Sequence, residues 1–373
     1  MKRTANGGFH FPVDGVMLTE TSGERIGDTL KIQVIFNGPT GRSLSLNGIP
    51  LIETGHCVYK CEYTLDSYKN TLTVTDADSD SVWSIDVFFL KKGYKKYRFT
   101  LDDNIWFLQN LTENKDVFKS MFEDPYLALL KSIHDKHGSK FHLNCYYETP
   151  RHGGFNLTQM TDKYKDEWKA NSDWLRLSFH ANADKPDRPY LCATYEQAYF
   201  EMERVHREII RFAGEEAFSK TIMSVHWGDC SIEAAKAFRN LGIRALIDQF
   251  SEHTDNNTDL RLYCDSEQCS ILRKYGFLYD KELDMFLYMY NSGIQRKQPE
   301  EIPALMERQV KQIPLFDVKN VCLHEQYFYP EFKWHQNNYY EKLDTTAQWC
   351  RDNGYEPMFM DELFEFNSHD YNK

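Results

Sequence analysis

Lys95-Lys96-Tyr97-Arg98-Phe99-Thr100-Leu101-Asp102-Asp103 is the stretch at which the chain changes character. Apolar and β-prone residues from Tyr97 to Leu101 stop at two adjacent carboxylates, the pattern of a buried strand with a polar end. Downstream, strand-like runs alternate with segments of helical periodicity. Strands are expected at 141–148, 174–181, 221–228, 243–250, 286–293 and 320–328, with 355–360 closing the sheet. Helices are expected at 117–137, 162–171, 195–213, 231–241, 299–313 and 345–353. Ser231 is placed to cap the fourth of these, and Gly242 and Gly354 stand where helices end. Such alternation from Tyr97 to about residue 365 implies a parallel sheet with helices outside it. Seven or eight strands fit a closed or nearly closed (β/α) barrel, with a doubly wound open sheet as the alternative. No Gly-x-Gly-x-x-Gly and no Walker-type loop follows any strand.

Upstream of Lys95 the rhythm is different. Residues 15–92 read as strands about ten residues apart with turns between them. Asn47-Gly48 between two apolar runs is a hairpin signal, and Asn37-Gly38-Pro39 marks another turn. We therefore expect a small all-β sandwich over residues 1–94 and the barrel over 95–373, joined by the lysine-rich 91–96.

Composition narrows the function classes. The chain has 373 residues, 44 Lys and Arg against 56 Asp and Glu, and a net charge of −12, which is unsuited to general phosphate-backbone binding, so no nucleic-acid partner is expected. Lys2 and Arg3 are followed by no apolar segment, and no run approaches a membrane span, so a cytoplasmic protein with no membrane partner is expected. Nine cysteines, an odd number without framework spacing, read as free thiols. Aromatics are abundant, with 25 Phe, 23 Tyr and 7 Trp, which suits both a packed core and stacking against sugar rings.

In parallel β/α folds the working residues sit at the C-terminal ends of the strands. The first strand ends in Asp102-Asp103, the third in His180 with Asp184 and Asp187 beyond it, the fourth in His226 with Asp229 beyond it, and the last in His324-Glu325. A carboxylate and imidazole set of this kind suits Zn²⁺ or another borderline divalent cation. Neighbouring residues on a strand point to opposite faces, so Asp102 and Asp103 reach one rim only if the backbone turns there. There is no Gly-x-Ser-x-Gly elbow.

At these residues the chain resembles the polysaccharide deacetylase family, whose catalytic domain is a distorted (β/α) barrel. The family's Thr-Phe-Asp-Asp motif looks like Thr100-Leu101-Asp102-Asp103, its His-x-x-x-His motif like His180 to Asp184, its Arg-x-Pro-Tyr element like Asp187-Arg188-Pro189-Tyr190, and its Leu-x-His motif like Cys322-Leu323-His324. The resemblance implies Asp102 as general base, His324 as general acid, and Asp103 and His180 as ligands of a divalent metal, most simply zinc. Leu101 and Asn104 depart from the family's aromatic residue and glycine, and Asp184 stands in place of the second metal histidine. The third ligand is thus open between Asp184, Asp187 and His226. The function implied is metal-dependent removal of acetyl groups from a carbohydrate, with substrate contacts expected from Trp106, Arg188, Trp227, Glu325 and Tyr327, and with Tyr329 also beyond a strand end. A non-catalytic carbohydrate-binding protein is one alternative. A glycoside hydrolase is another, and would need two carboxylates about 5–5.5 or 6.5–9.5 Å apart, with Asp102 and Glu325 as the pair to measure.

Overall fold

The computed structural model describes residues 7–249, 262–290, 292–312 and 318–365. Alternating burial along the N-terminal strands builds two sheets. One pairs Gly8–Phe11, Thr29–Asn37, Val58–Leu65 and Ile52–Gly55, with Glu24–Ile26 added on Thr29–Asn37. The other runs Met17–Leu18, Val82–Phe89, Lys69–Asp76, Leu44–Leu46, Ile49–Pro50. All pairs are antiparallel except Met17–Leu18 on Val82–Phe89. Leu30, Ile32, Val34 and Phe36 from the first sheet pack on Leu72, Val74, Ile85 and Val87 from the second, so the module is a β-sandwich. The Asn47-Gly48 hairpin forms with φ of 46° and 85°, the positive pair its turn requires.

The barrel follows. Its strands are β1 (Lys96–Asn104), β2 (Phe141–Tyr146), β3 (Leu175–Ala181), β4 (Ile222–Ser224), β5 (Ala245–Gln249), β6 (Met285–Tyr290) and β7 (Val318–His324). All seven run parallel in two arcs, β7-β1-β2-β3 and β4-β5-β6. Between β3 and β4 no ladder runs among the described residues. The seam is crossed instead by a bridge of Leu177 to Phe218 and by His180 Nδ1 to the Ser224 carbonyl at 3.1 Å. Between β6 and β7 the Tyr288 hydroxyl donates to the Val318 carbonyl at 2.9 Å, and Ser292–Gly293, just beyond β6, pairs parallel with Val321 and Cys322 of β7. The chain is thus a distorted seven-stranded (β/α) barrel preceded by a sandwich, and all strand ends of one sense share one rim.

The longer helices are α1 (Trp106–Glu113), α2 (Pro125–His137), α3 (Tyr195–Ala213), α4 (Ile232–Asn240), α5 (Ser266–Tyr275), α6 (Ile302–Gln312) and α7 (Tyr339–Asp352), and two short ones are Lys165–Ala170, within the helix expected at 162–171, and Met360–Leu363. Ser231 caps α4 as expected, its hydroxyl accepting from the Ala234 amide at 3.0 Å. The helix expected over 117–137 is shorter than the periodicity suggested. Asp124 caps it and Pro125 starts it, so the preceding residues cannot join its ladder. Among the longer elements three were not expected: α1, α5, and Phe277–Asp280, which pairs antiparallel with β6. Of the expected strands and helices, Phe250, Asn291 and Ile313 lie outside the described residues.

The sandwich rests on the barrel. Phe88 packs against Tyr279 and Phe286, with ring centroids 4.8 and 5.2 Å away, and the Tyr279 amide donates to the Gly15 carbonyl at 2.7 Å. Gly15 has φ +75°, and a Cβ on it would lie 2.5 Å from the Tyr279 carbonyl oxygen, so only glycine fits this approach. Among the described residues no helix is long and apolar enough to cross a membrane.

Candidate metal centre

Strand β1 ends in the backbone turn that two rim-facing carboxylates require. Asp103 has φ +64°, a left-handed conformation, and the ladder to β2 shifts register between Leu101 and Asn104. Buried Asn104 helps hold the turn, donating to the carbonyls of Leu101 and Asn144, while Gln326 Nε2 donates to the Asp103 carbonyl at 3.0 Å. A non-glycine residue held at positive φ stores roughly 1–3 kcal/mol of strain, and such residues gather at functional sites. Trp227, beyond β4, is another, at φ +63°.

Asp103, His180 and His226 meet at one point. Asp103 Oδ1 lies 3.1 Å from His180 Nε2 and 3.6 Å from His226 Nδ1, and the two ring nitrogens are 2.9 Å apart. A tetrahedral ion with bonds of about 2.1 Å sets its ligand atoms about 3.4 Å apart, so three corners of such a site are already near their places. The other nitrogen of His180 faces the Ser224 carbonyl, which fixes its proton there and turns the Nε2 lone pair inward, as metal-bound histidines require. The residues present fit a divalent cation with one position left to the cleft.

The electrostatics agree. Burial works to raise the Asp103 carboxyl, but the neighbouring His324, His180 and His226 outweigh it and hold it well below the usual range. Burial depresses His226 to about 3, assisted by His180, and keeps its ring neutral. His180 is raised despite burial, because Asp102 and Asp103 face it. An ionised carboxylate and a neutral imidazole are metal-ligand forms, and the carboxylates of Asp102 and Asp103 beside His180 favour positive charge at this point.

Tyr146, not singled out from the sequence, completes the cluster. Its hydroxyl donates to Asp103 Oδ1 and lies 3.3 Å from His226 Nε2. Tyr146 ends β2, so the strand-end rule itself points to it. Asp248 near the end of β5 also lines the cleft, and a Cβ on Gly228 would lie 2.0 Å from its Oδ2.

Asp102 is buried beside this cluster. Its Oδ1 accepts from Asn144 Nδ2 at 2.5 Å and Thr100 Oγ1 at 3.3 Å. His324 is its register partner on β7, and its ring meets Tyr327 edge to face. The cleft above them has a volume of about 760 Å³ and is walled by Trp106, Trp227, Tyr327 and Trp334 among others. Trp106 stacks on His152 with centroids 3.9 Å apart, and Trp227 is half exposed.

Three expected residues stand elsewhere. Asp184 lines the cleft but faces Arg151 at 3.8 Å, outside the three-residue cluster. The i, i+4 spacing from His180 brings side chains together only on a helix, and the chain after β3 is a loop. Arg188 pairs with Asp229 at 3.3 Å and is not among the cleft residues. Glu325 is fully buried and caps α1. Its Oε2 accepts from the amides of Ile105 and Trp106 at 2.6 and 3.1 Å, and its Oε1 from Phe107 at 2.6 Å and from the Tyr329 hydroxyl at 2.9 Å. Burial pushes its carboxyl up to about 8 against these donors. With both oxygens engaged in the scaffold, the pair of Asp102 and Glu325 is not presented to the cleft. Tyr329 is drawn inward with it.

No model of a known protein family matches the chain, and no curated protein does. Among solved structures, a CE4 family pseudoenzyme from Bacillus anthracis is similar at 12% identity and a TM-score of 0.36, over 73% of this chain and 66% of that one. A 4-alpha-glucanotransferase from Thermococcus litoralis is similar at 12% identity and a TM-score of 0.47, over 73% of this chain and 40% of that one. A GH57 branching enzyme from Thermococcus kodakaraensis is similar at 10% identity and a TM-score of 0.44, over 74% and 72% of the two chains. The chain thus spans less than two thirds of the length of the first two.

Proposed function

We propose that the protein is a metal-dependent hydrolase that removes acetyl groups from an N- or O-acetylated carbohydrate. The observation that carries this reading is the convergence of Asp103, His180 and His226, with His180 anchored from behind by the Ser224 carbonyl. A zinc-class cation held by these three would supply Lewis acidity to the acetyl carbonyl and to the attacking water. Asp102, oriented by Asn144 and Thr100, takes the water's proton on its carboxylate. His324 gives a proton to the departing amine or alkoxide. Trp106, Trp227 and Tyr327 offer aromatic faces to sugar rings along the cleft.

The test is to load the metal-free chain with zinc and follow acetate release from an N-acetylated chito-oligosaccharide and an O-acetylated xylo-oligosaccharide. Acetate should appear with one of them. Asp103→Ala should lose the activating equivalent of zinc and with it activity, whereas Asp102→Asn should keep that equivalent and lose activity by about 100-fold or more. Zinc retained at full stoichiometry in Asp103→Ala would remove the basis of the reading. Zinc bound by the native chain with carbohydrate binding but no acetate release would leave a binding protein instead.

A further inference from the structure

Cys322 takes no part in the chemistry above. It lies on β7 two residues before His324, so both side chains leave the strand on one side, and Asp102 stands alongside as the register partner of His324. One donor atom from each of Asp102, Cys322 and His324 lies within 4.8 Å of the other two. The Cys322 thiol already donates to Asp102 Oδ2 at 3.4 Å. Asp102 and Cys322 are 8% and 3% exposed. The Nδ1 of His324 is enclosed without a hydrogen-bond partner among the described residues.

We propose that Asp102, Cys322 and His324 form a second metal site, selective for zinc-class cations, directly beside the first, and that filling it shuts off the chemistry. A thiolate, an imidazole and a carboxylate together are a borderline-to-soft donor set, which suits Zn²⁺ and Co²⁺ and rejects Mg²⁺ and Ca²⁺. The thiol proton passes to solvent as the metal binds. Asp102, Asp103 and the thiolate bring three negative charges against two dications. The second ion therefore binds, but more weakly than the first, because it faces a cation across ground of low dielectric. The inhibitory half of the proposal rests on the function proposed above. A carboxylate holding a cation no longer accepts a proton from water, and an imidazole ligating one no longer delivers its own. The site itself stands or falls independently of that reading.

The experiment is a titration of the metal-free full chain with Co²⁺, followed by absorbance and equilibrium dialysis, and then with Zn²⁺, followed by acetate release. Two equivalents of cobalt should bind. A sulfur-to-cobalt charge-transfer band should grow with the second equivalent alone, survive excess Mg²⁺ and vanish in Cys322→Ser. With zinc, acetate release should rise through the first equivalent, fall toward the metal-free rate through the second, and lose the falling phase in Cys322→Ser. A single equivalent of cobalt without the band overturns the second site. So does a band undiminished in Cys322→Ser, which places the sulfur on another of the nine cysteines. The wild-type titration decides alone if that variant does not fold. Acetate release that stays level past the second equivalent overturns the inhibition. Two equivalents with the band, but no acetate release at any loading, leaves the second site standing and overturns the proposed function.

Discussion

His206 shows how one buried ring couples the fold to pH. It lies on α3 between Phe218 and Phe179, with centroids 4.6 and 6.4 Å away, and its Nε2 has no partner among the described residues. Burial depresses it from 6.5 to about 4. The unfolded chain therefore binds a proton that the folded chain refuses. Stability from this residue is fully present above pH 6.5 and is lost as pH falls to about 4. The loss amounts to about 3 kcal/mol. His206→Leu should flatten the pH dependence of urea unfolding by that amount between these limits, and a slope equal to the native one would refute the assignment. At the rim, residue types and strand-end positions pointed to Asp102, Asp103, His180, His226 and His324 as candidates. They did not choose which residue would join Asp103 and His180 in one cluster. Asp184 has the better sequence spacing, but spacing becomes proximity only on a helix. His226 reaches the cluster from a different strand, which no local pattern encodes. Tyr146 was legible by the same rule and hidden by its place in an apolar run.

The dependence of α1 on Glu325 belongs to the scale of the element. Ile105, at its N-terminus, has no side chain that can cap, so the orphan amides of Ile105, Trp106 and Phe107 turn to a carboxylate on the far side of the sequence. Glu325→Ala strands these amides and the Tyr329 hydroxyl, and is expected to cost about 3–5 kcal/mol by denaturant unfolding. Faster amide exchange should be confined first to the start of α1. Glu325→Gln keeps one acceptor and should cost less, about 1–2 kcal/mol. Equal stability of Glu325→Ala and the native chain would mean that solvent satisfies the helix end. This arrangement explains why α1 was not legible: its cap is not local. By contrast α4 and α2 carry their caps in the sequence, at Ser231 and Asp124, although the second was overrun by an apolar periodicity that begins too early. α5, which was not expected, also carries its cap locally, in the box of Asp265 and Gln268 where each side chain accepts from the other's amide.

At the scale of the whole molecule, the two modules share an aromatic layer. Phe88 is 1% exposed, and its ring also meets Tyr68 at 5.6 Å, while the Tyr68 hydroxyl donates to the Phe364 carbonyl at 2.8 Å. Phe88→Ala should remove about 3–5 kcal/mol. Calorimetry should show one transition moved to lower temperature as a unit. Two separate transitions, with only one displaced, would show that the layer does not couple the modules. The architecture was the most legible level, because a change from period-two strands to strand–helix alternation is written along the whole chain. The seams of the barrel were not, since whether neighbouring strands hydrogen-bond depends on distant geometry. Those seams give the rim cluster a mechanical meaning. Asp103 and His180 belong to one arc and His226 to the other, and they meet where the strands themselves do not pair. Whatever grips all three acts as a clasp on a split ring. Its removal would loosen the barrel first between β3 and β4, so that the rigidity of the wall and the occupancy of the rim become a single property.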